Sequence, residues 1–220
     1  MDSIFITEDG SPTLLSGRFG ETYHSRRGAV AESTHVFIKE GFDWASKEKT
    51  SLRIGEVGLG SGLNALLTCY HAEQRQISVD YHAIESFPPD PEILEAMTFG
   101  DWNTSPGLHQ MIMQNPEKKV LECNSWFRFS WTKAVWPEVN PFENLDVLYY
   151  DAFAPNCQPE LWNLDALKAA HIALAEGGAF VTYCAKGSFR RDLKSLEFVV
   201  KRLPGAPGKW HMTRGVKRSD

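Results

Sequence analysis

A glycine-rich loop behind an acidic residue is the segment of this chain whose residue types and spacing most clearly indicate chemistry. An apolar run ends at Glu56, and glycines then occupy every second position, at Gly58, Gly60 and Gly62. Glycines allow a backbone to turn sharply and to approach a ligand closely. A helix-like run begins at Leu63, so free N–H groups and the positive end of a helix dipole would face whatever binds at the loop. The pattern predicts a ligand-binding loop, and the alternative is a glycine-rich turn between a buried strand and a helix.

A second acidic residue, Glu85, stands where the next strand-like run, residues 79–84, ends. In dinucleotide folds an acid at this position accepts hydrogen bonds from ribose hydroxyls. Leu63 replaces the third glycine of the dinucleotide pattern G-x-G-x-x-G, which disfavours a nicotinamide-dependent oxidoreductase. The loop resembles instead the S-adenosylmethionine loop of Rossmann-like (class I) methyltransferases. Asn64 would then help to hold the methionine end of that cofactor, or would simply be a polar residue at a helix N-terminus.

A third acidic residue, Asp151, follows the apolar run 147–150 and opens the sequence Asp151-Ala152-Phe153-Ala154-Pro155. The run is apolar enough to be a buried central strand. Ligands of open α/β sheets bind beyond the carboxyl ends of strands, where the strand order reverses, so Asp151 would point into that crevice. The alternative is an aspartate that closes the loop or caps the helix beginning near Pro159.

The elements that must position these residues alternate from Leu52 onward, which predicts an α/β fold with a mostly parallel, doubly wound sheet. We expect strands near 52–57, 79–84, 126–132, 145–151 and 179–184, and helices near 62–73, 160–175 and 188–195. Residues 91–114 carry two helix-like patches that Pro106-Gly107 separates. Gly177-Gly178 is predicted to end a helix as a C′ glycine stop. Two more strands are expected in the tail, at 198–200 and 211–213, on either side of a turn-rich loop.

The N-terminal residues predict an appendage to this sheet. The apolar runs 4–7 and 13–15 flank Asp9-Gly10, a pattern typical of a β-hairpin, and residues 28–41 are expected to be helical. We therefore expect residues 1–45 to form an N-terminal hairpin and substrate-side extension, and residues 46–220 to form the S-adenosylmethionine-dependent methyltransferase domain.

Composition limits the possible functions. The 220 residues suggest one large domain, and the scattered cysteines Cys69, Cys123, Cys157 and Cys184 give no spacing for zinc or redox chemistry. No signal peptide and no apolar run of ~20 residues is present, so we expect a cytoplasmic protein without membrane contact. The net charge is −5, yet residues 186–220 hold ten Lys or Arg and three Asp or Glu. That basic tail indicates either an RNA-binding face or an ordinary solvated surface.

A series of short motifs runs along nearly the whole chain. They are RFGETYHS at 18–25, AESTHVF at 31–37, EVGLGSGLN at 56–64, IESFP at 84–88, DAFAP at 151–155, PELW at 159–162, TYCAKG at 182–187, Arg190-Arg191 and RLPGAPGK at 202–209. In this order they resemble the methyltransferase domain of the tRNA 5-methylaminomethyl-2-thiouridine biosynthesis (MnmC) family, and more closely its stand-alone form, called MnmD.

This resemblance implies methyl transfer from S-adenosylmethionine to the primary amine of 5-aminomethyl-(2-thio)uridine at the wobble position of tRNA, which gives the 5-methylaminomethyl nucleoside. Larger members of the family fuse the domain to a flavin-dependent oxidase. This sequence has no second nucleotide-binding segment, so we expect S-adenosylmethionine as cofactor, with no FAD and no metal. The implied partner is tRNA, and we expect a monomer.

The resemblance also implies roles for single residues. Asp151 is the catalytic candidate, orienting the amine and accepting its proton. The cofactor-binding candidates are Glu56, Gly58, Gly60, Gly62, Asn64 and Glu85. Tyr23, Phe153 and Trp162 are expected to wall the pocket and stack on the base, although Trp162 could equally be a core residue on a helix face. The candidates for phosphate contact are Lys186, Arg190, Arg191, Lys209 and Arg214.

Two departures from the family pattern matter. His24 stands where the family commonly has Phe, and no acid follows the strand at 126–132 before Glu138, so the adenine contact is unassigned. Two other functions remain open. One is a methyl- or aminopropyl-transferase for a small amine, which the acidic body of the chain would suit. The other is a non-catalytic nucleotide- or partner-binding module.

Overall fold

The architecture is an eight-stranded sheet with helices on both faces, seen in a computed structural model that describes residues 1–100 and 107–219. The strands of this sheet are β3 (Ser51–Val57), β4 (Ser78–Glu85), β5 (Leu121–Asn124), β6 (Phe127–Lys133), β7 (Leu145–Tyr150), β8 (Leu174–Thr182), β9 (Phe198–Pro204) and β10 (His211–Lys217). Their order is β5-β6-β4-β3-β7-β8-β10-β9. The five strands from β6 to β8 in this order are parallel, whereas β5 and β10 run antiparallel to their neighbours. The predicted mostly parallel sheet is confirmed.

The strand order reverses at β3. From β3 the chain adds β4 and then β6 on one side, and it later returns to place β7 on the other side of β3. The last paired residues of the two strands are Val57 and Tyr150, and the Asp151 N–H still donates to the Val57 carbonyl at 2.9 Å. The segments that follow β3 and β7 therefore leave the sheet side by side, at the position where such sheets bind ligands.

Helices bury both faces of the sheet. Their bounds are α1 (Ala29–Ser33), a π-helical turn region (Thr34–Phe42), α2 (Asp43–Ala45), α3 (Leu63–Arg75), α4 (Pro91–Glu95), α5 (Leu108–Met113), a 3₁₀ helix (Pro159–Trp162), α6 (Leu164–Ala173) and α7 (Gly187–Ser195). Successive residues of β7 point to opposite faces. Tyr149 packs with Phe37 on one face, and Tyr150 packs with Trp162 and Phe180 on the other. This two-sided burial explains why the β7 sequence is continuously apolar before Asp151.

The N-terminal hairpin forms as predicted, from β1 (Ser3–Ile6) and β2 (Pro12–Leu15) paired antiparallel in a separate two-stranded sheet. Its residue Leu14 is fully buried in the same apolar cluster as Phe37, Leu66 and Tyr149. The hairpin is thus packed onto the main body. The proposed domain boundary after residue 45 stays a prediction.

Two details of the expected secondary structure differ. The prediction that Gly177-Gly178 ends a helix is wrong, because α6 ends at Ala173 and both glycines lie inside β8. A Cβ on Gly178 would lie 2.6 Å from the Leu145 carbonyl oxygen, where the β7–β8 register shifts, so close strand packing requires the glycine. Strand β5 was not predicted, since it is a short edge strand. Of the 91–114 segment, α4 and α5 lie in the predicted patches, and Pro106 is outside the described residues.

No helix in the described ranges has the length and apolar character needed to cross a lipid bilayer.

An ion pair joins the hairpin formed by β9 and β10 to the helical layer. Arg214 of β10 bonds the Glu40 carboxylate at 2.9 Å, with side chains only 9% and 17% exposed. Its guanidinium also lies 4.8 Å from the centre of the Trp44 ring. The arginine is therefore held on the sheet face under the π-helical region rather than at the surface.

We expect Arg214→Ala to lower the free energy of unfolding by roughly 3 kcal/mol, because it leaves the largely buried Glu40 carboxylate without its cation. Urea unfolding measures the change. The matched control is Arg128→Ala, which breaks an exposed pair with Glu122 and should cost less than about 1 kcal/mol. Equal small losses in both variants would contradict the structural role given to Arg214.

Candidate active site

A cleft opens at the carboxyl ends of β3, β4, β6 and β7, and the space between its walls, open solvent included, is about 660 Å³. Its walls come from both the sheet loops and the N-terminal segment. They are Phe19, Tyr23, His24, Val57, Gly58, Leu59, Gly60, Ile84, Glu85, Ser86, Phe87, Ala134, Trp136, Asp151, Ala152, Phe153, Gln158 and Leu161. Six predicted site residues therefore meet in one place: Gly58, Gly60, Glu85, Asp151, Tyr23 and Phe153.

The glycine loop packs too closely against neighbouring segments to accept larger residues. Gly58, Gly60 and Gly62 have φ angles of +92°, +51° and +76°, a region that L side chains rarely adopt. A Cβ on Gly58 would lie 2.7 Å from the Asp151 carbonyl oxygen, and one on Gly62 would lie 2.3 Å from the Met113 sulfur. The Gly62 carbonyl accepts from the Leu66 N–H at 3.0 Å, so α3 starts directly behind the loop. Gly62 stands outside the cavity wall and shapes the turn.

Glu85 joins the loop after β3 to the loop after β4. Its carboxylate accepts from the Gly60 N–H at 3.0 Å and from the Phe87 N–H at 2.8 Å. Burial raises the pKa of Glu85, while the backbone donors oppose that rise. Each carboxylate oxygen has a second lone pair, so two hydroxyls of a ribose could still be accepted.

Asn64 connects two carboxyl groups beneath the loop. Its amide nitrogen donates to Glu56 at 2.9 Å and to Asp151 at 2.8 Å. Tyr81 donates from its hydroxyl to the other Glu56 oxygen at 2.8 Å, and burial raises the pKa of Glu56 well above its usual value. Glu56 does not line the cavity. Its place below the loop indicates support of Asn64 rather than the predicted direct cofactor contact.

The Asn64 side-chain oxygen is buried and lacks a hydrogen-bond partner among the described residues. A buried acceptor without a partner is unfavourable unless a ligand or water supplies a donor. An ammonium group such as that of a methionine moiety would be a suitable donor. The glycine loop and the Glu85 carboxylate at the cavity wall fit a nucleoside, whereas Asn64 lies buried beneath the loop and is not part of the wall.

Asp151 is the titratable group best matched to proton transfer near neutral pH. Burial raises its pKa to about 7, and the negative charge of Glu32 adds to the rise, while the Asn64 hydrogen bond and Lys209 oppose it. A carboxyl group with such a pKa can either hold or accept a proton under physiological conditions.

An ion pair that the sequence did not predict lies beside Asp151. Lys209 pairs with the buried Glu32, and its ammonium sits 4.2 Å from the centre of the Tyr183 ring. The second Glu32 oxygen accepts from the Ser25 N–H at 2.6 Å, and Tyr183 donates to the Ala152 carbonyl at 2.8 Å. This placement argues against the predicted phosphate contact of Lys209.

Aromatic rings form the outer wall. The Phe153 ring lies 4.5 Å from Phe19 and 5.0 Å from Tyr23, measured between centroids. The Phe153 backbone is fixed on both sides, because its N–H donates to Gln158 at 3.0 Å and its carbonyl accepts from the Trp162 indole at 2.7 Å. Trp162 itself is buried in the core and does not line the cavity, so the core alternative describes it better than the predicted stacking role.

Several wall residues were missed in the sequence. Phe19 and His24 lie in the same sequence motif, 18–25, as Tyr23, so they could have been predicted as wall residues together with it. No sequence motif pointed to Gln158 or Trp136 as wall residues. His24 is buried with its Nδ1 2.9 Å from the Thr13 hydroxyl, and burial lowers its pKa to about 4, which keeps the ring neutral at physiological pH. Ser86 donates to the Ala134 carbonyl at 2.9 Å and closes the end of the cavity opposite Asp151.

The predicted cationic contacts divide into two groups. Lys186 and Arg191 are exposed and Arg190 is half-buried, all at the start of α7 just beyond the carboxyl end of β8. For these three, phosphate contact stays a prediction. The Glu40 pair holds Arg214 in the interior, which argues against a phosphate role for it. Within the described residues, no group of three or more His, Cys, Asp or Glu side chains could hold a metal ion.

Comparison with known proteins agrees with this geometry. Residues 110–218 match a family described as S-adenosyl-L-methionine-dependent methyltransferase. Among solved structures, MnmC2 from Aquifex aeolicus is 28% identical with a TM-score of 0.74, covering 99% of this chain and 70% of that one. An S-adenosylmethionine-dependent O-methyltransferase from Thermotoga maritima, 14% identical, matches in fold alone, with a TM-score of 0.52 over 99% of this chain and 92% of that one. The fold is thus that of a Rossmann-like (class I) methyltransferase.

Two sequence relatives carry the same name. The bifunctional tRNA 5-methylaminomethyl-2-thiouridine biosynthesis protein MnmC of Aromatoleum aromaticum is 29% identical over 97% of this chain and 35% of its own length. The protein of that name from Nitrosospira multiformis is 29% identical over 92% of this chain and 35% of its own length. The chain is therefore similar over residues 110–218 to that methyltransferase family, and over nearly its whole length to one part of the MnmC proteins. It spans about a third of the length of the curated relatives it matches.

We expect Asp151→Asn to stabilise the protein at high pH. The pKa of Asp151 is about 7 in the folded protein and 3.8 in the unfolded chain. Between these pH values the folded state binds more protons than the unfolded state, so the free energy of unfolding falls as the pH rises from about 4 to about 7. The variant should raise Tm at pH 8 by roughly 3–8 °C and have little effect near pH 4. Calorimetry at both pH values measures this, with the exposed carboxyl variant Asp165→Asn as control. An equal shift at both pH values would contradict the raised pKa.

Proposed function

We propose that this protein transfers a methyl group from S-adenosylmethionine to the primary amine of 5-aminomethyl-(2-thio)uridine at the wobble position of tRNA. The observation that carries the proposal is the meeting of the glycine loop, Glu85 and Asp151 in one cavity at the strand-order reversal. The MnmC name of the sequence relatives supports the choice of a tRNA uridine as substrate.

The cavity offers contacts for the nucleoside part of the cofactor, since the backbone at Gly58 and Gly60 can approach it closely and Glu85 can accept from the ribose. The unpartnered Asn64 oxygen beneath the loop is the candidate acceptor for the methionine ammonium. For the adenine, which the sequence left unassigned, Ser86, Ala134 and Trp136 form the wall beyond Glu85. Bound there, S-adenosylmethionine supplies an electrophilic methyl group on a sulfonium.

The acceptor amine must lose a proton before it can react, because an alkylammonium has no lone pair. Asp151 lies where it can hold the ammonium through charge pairing and accept that proton, and its pKa of about 7 makes it a better base for an amine than an ordinary carboxylate. As the new N–C bond forms, the C–S bond breaks. Positioning the nitrogen in line, ~3 Å from the methyl carbon, accounts for much of the rate.

The surroundings of Asp151 favour an ammonium over a neutral group. The carboxylate of Glu32 adds negative potential at Asp151, which Lys209 offsets in part, and the face of Tyr183 already accommodates the Lys209 ammonium. Phe19, Tyr23 and Phe153 are placed to contact a uracil ring whose aminomethyl group reaches Asp151. The expectations of a single cofactor without FAD, of a monomer and of a cytoplasmic location remain part of this proposal.

The same acidic pocket supports one alternative, a methyl- or aminopropyl-transferase for a small amine. Such a substrate would need no contacts outside the cavity. The exposed cations Lys186 and Arg191 favour tRNA, since they lie at the same edge of the sheet as Asp151.

We expect Asp151→Ala to lower kcat/KM for tRNA bearing 5-aminomethyluridine by about 10²–10⁴-fold, because the proton acceptor is lost. Transfer of labelled methyl groups measures the rate, and calorimetry with S-adenosylhomocysteine should show largely retained binding. Normal turnover in the variant would refute the role of Asp151. Binding of no cofactor by the wild-type protein would favour the non-catalytic alternative.

We expect tRNA affinity to fall steeply with salt, and the double variant Lys186→Ala/Arg191→Ala to reduce the slope of log Kd against log salt by roughly 1–2. Filter binding at several salt concentrations measures the slopes. The matched control is Lys118→Ala. Lys118 is an exposed cation near Glu117 and was not predicted to contact phosphate. A shallow slope in the wild-type protein, with efficient turnover of a small amine, would support the alternative substrate class.

A further inference from the structure

Trp210 leaves nearly its whole side chain in water. It is 90% exposed and lies in the turn between β9 and β10. A tryptophan can remove ~150–250 Å² from water when it is covered, so an uncovered one is a strong candidate for a binding contact. Single exposed apolar residues are common, however, and its surroundings must decide whether Trp210 has a partner.

The turn that carries Trp210 is held firmly by the body of the protein. Its backbone closes through the Gly205 N–H to the Trp210 carbonyl at 3.2 Å and the Lys209 N–H to the Ala206 carbonyl at 2.8 Å. Ala206 is buried in the main apolar cluster, and a Cβ on Gly208 would lie 2.2 Å from the Arg27 side chain. The indole is therefore presented to solvent from a fixed backbone.

The turn also lies at the edge of the sheet that carries the site. Strand β10 is antiparallel to both β8 and β9, so β9 ends at the same edge as β8 and β7. Lys209 extends inward to Glu32 and Tyr183. The charge of Glu32 acts on Asp151, and Tyr183 donates to the carbonyl of the adjoining Ala152. The next residue, ~3.8 Å further along the backbone, is Trp210, which faces outward. The indole thus stands at the rim of the acceptor side.

Exposed cations lie on the segments that flank this turn. Arg26, Arg27, Lys186 and Arg202 are exposed, and within residues 1–100 and 107–219 none of them forms an ion pair with a carboxylate. Arg27 contacts the turn at Gly208, and Arg202 pairs across the hairpin with Thr213. Free cations beside an exposed aromatic ring are typical of a surface that binds unpaired nucleotides.

We propose that Trp210 is a stacking platform for an unpaired nucleotide of the tRNA, one that neighbours the nucleotide whose amine enters the cavity. The inference rests on the proposed function, since it takes a tRNA as the molecule that approaches the acceptor side. Stacking on an indole tolerates any base, so the contact would add affinity without selecting sequence.

The test compares Trp210→Ala and Trp210→Phe in binding of 5-aminomethyluridine tRNA to protein saturated with S-adenosylhomocysteine. We expect the Ala variant to raise Kd by roughly 5- to 100-fold and the Phe variant to recover most of the affinity. The loss should be the same at low and high salt, because stacking releases no counterions. The matched control is Ile172→Ala on α6, whose side chain is 72% exposed, and it should bind as the wild type does.

Three results would overturn the inference. If Trp210→Ala binds tRNA as tightly as the wild-type protein does, and the wild-type protein methylates that tRNA, the stacking role of Trp210 is refuted and the proposed function is unaffected. A wild-type dimer that Trp210→Ala dissociates in sedimentation would assign the indole to a protein interface. A wild-type protein that binds no tRNA at all would refute the proposed function and this inference together.

Discussion

The amide of Asn64, placed between two carboxyl groups, is the contact on which the rest of the site depends. It joins the start of α3 to the ends of β3 and β7 by donating to Glu56 and to Asp151 at once. Burial raises the pKa of both carboxyl groups, and the charge of Glu32 adds to the rise at Asp151. The amide opposes these effects only in part, so the pKa of Asp151 stays about 7 and that of Glu56 stays high. The group suited to receive a proton is thus a consequence of how the loop is supported.

The chain assembles this site from segments far apart in sequence, and the electrostatics differ between its inside and its rim. The N-terminal segment provides Tyr23 and Glu32, the central strands provide Glu85 and Asp151, and the tail provides Lys209. Inside, the carboxyl groups of Asp151 and Glu85 line the cavity and favour a cationic amine. Outside, exposed cations such as Arg27, Lys186 and Arg202 face solvent on segments that flank the Trp210 turn and would meet a polyanion. A substrate that is anionic along its backbone and cationic at one reactive group satisfies both regions.

The sequence predicted those features that local patterns determine. Apolar runs alternating with helix-like segments located the parallel strands, and the carboxyl ends of those strands brought Gly58, Glu85 and Asp151 together. Features that depend on distant contacts escaped prediction. The Glu32–Lys209 pair joins residues 177 positions apart in the sequence. Arg214 points inward because it forms an ion pair with Glu40. Gly177-Gly178 carries the usual signal of a helix end, yet both glycines lie in β8, where Gly178 packs closely against Leu145 of β7.

The measurement that tests the central claim most directly is mass spectrometry of wobble nucleosides in tRNA from cells that lack this protein, beside cells in which it is restored. The account predicts that 5-aminomethyl-(2-thio)uridine accumulates, that the 5-methylaminomethyl form disappears, and that restoring the wild-type protein, but not Asp151→Ala, reverses both changes. An unchanged nucleoside profile in the absence of the protein would contradict the account.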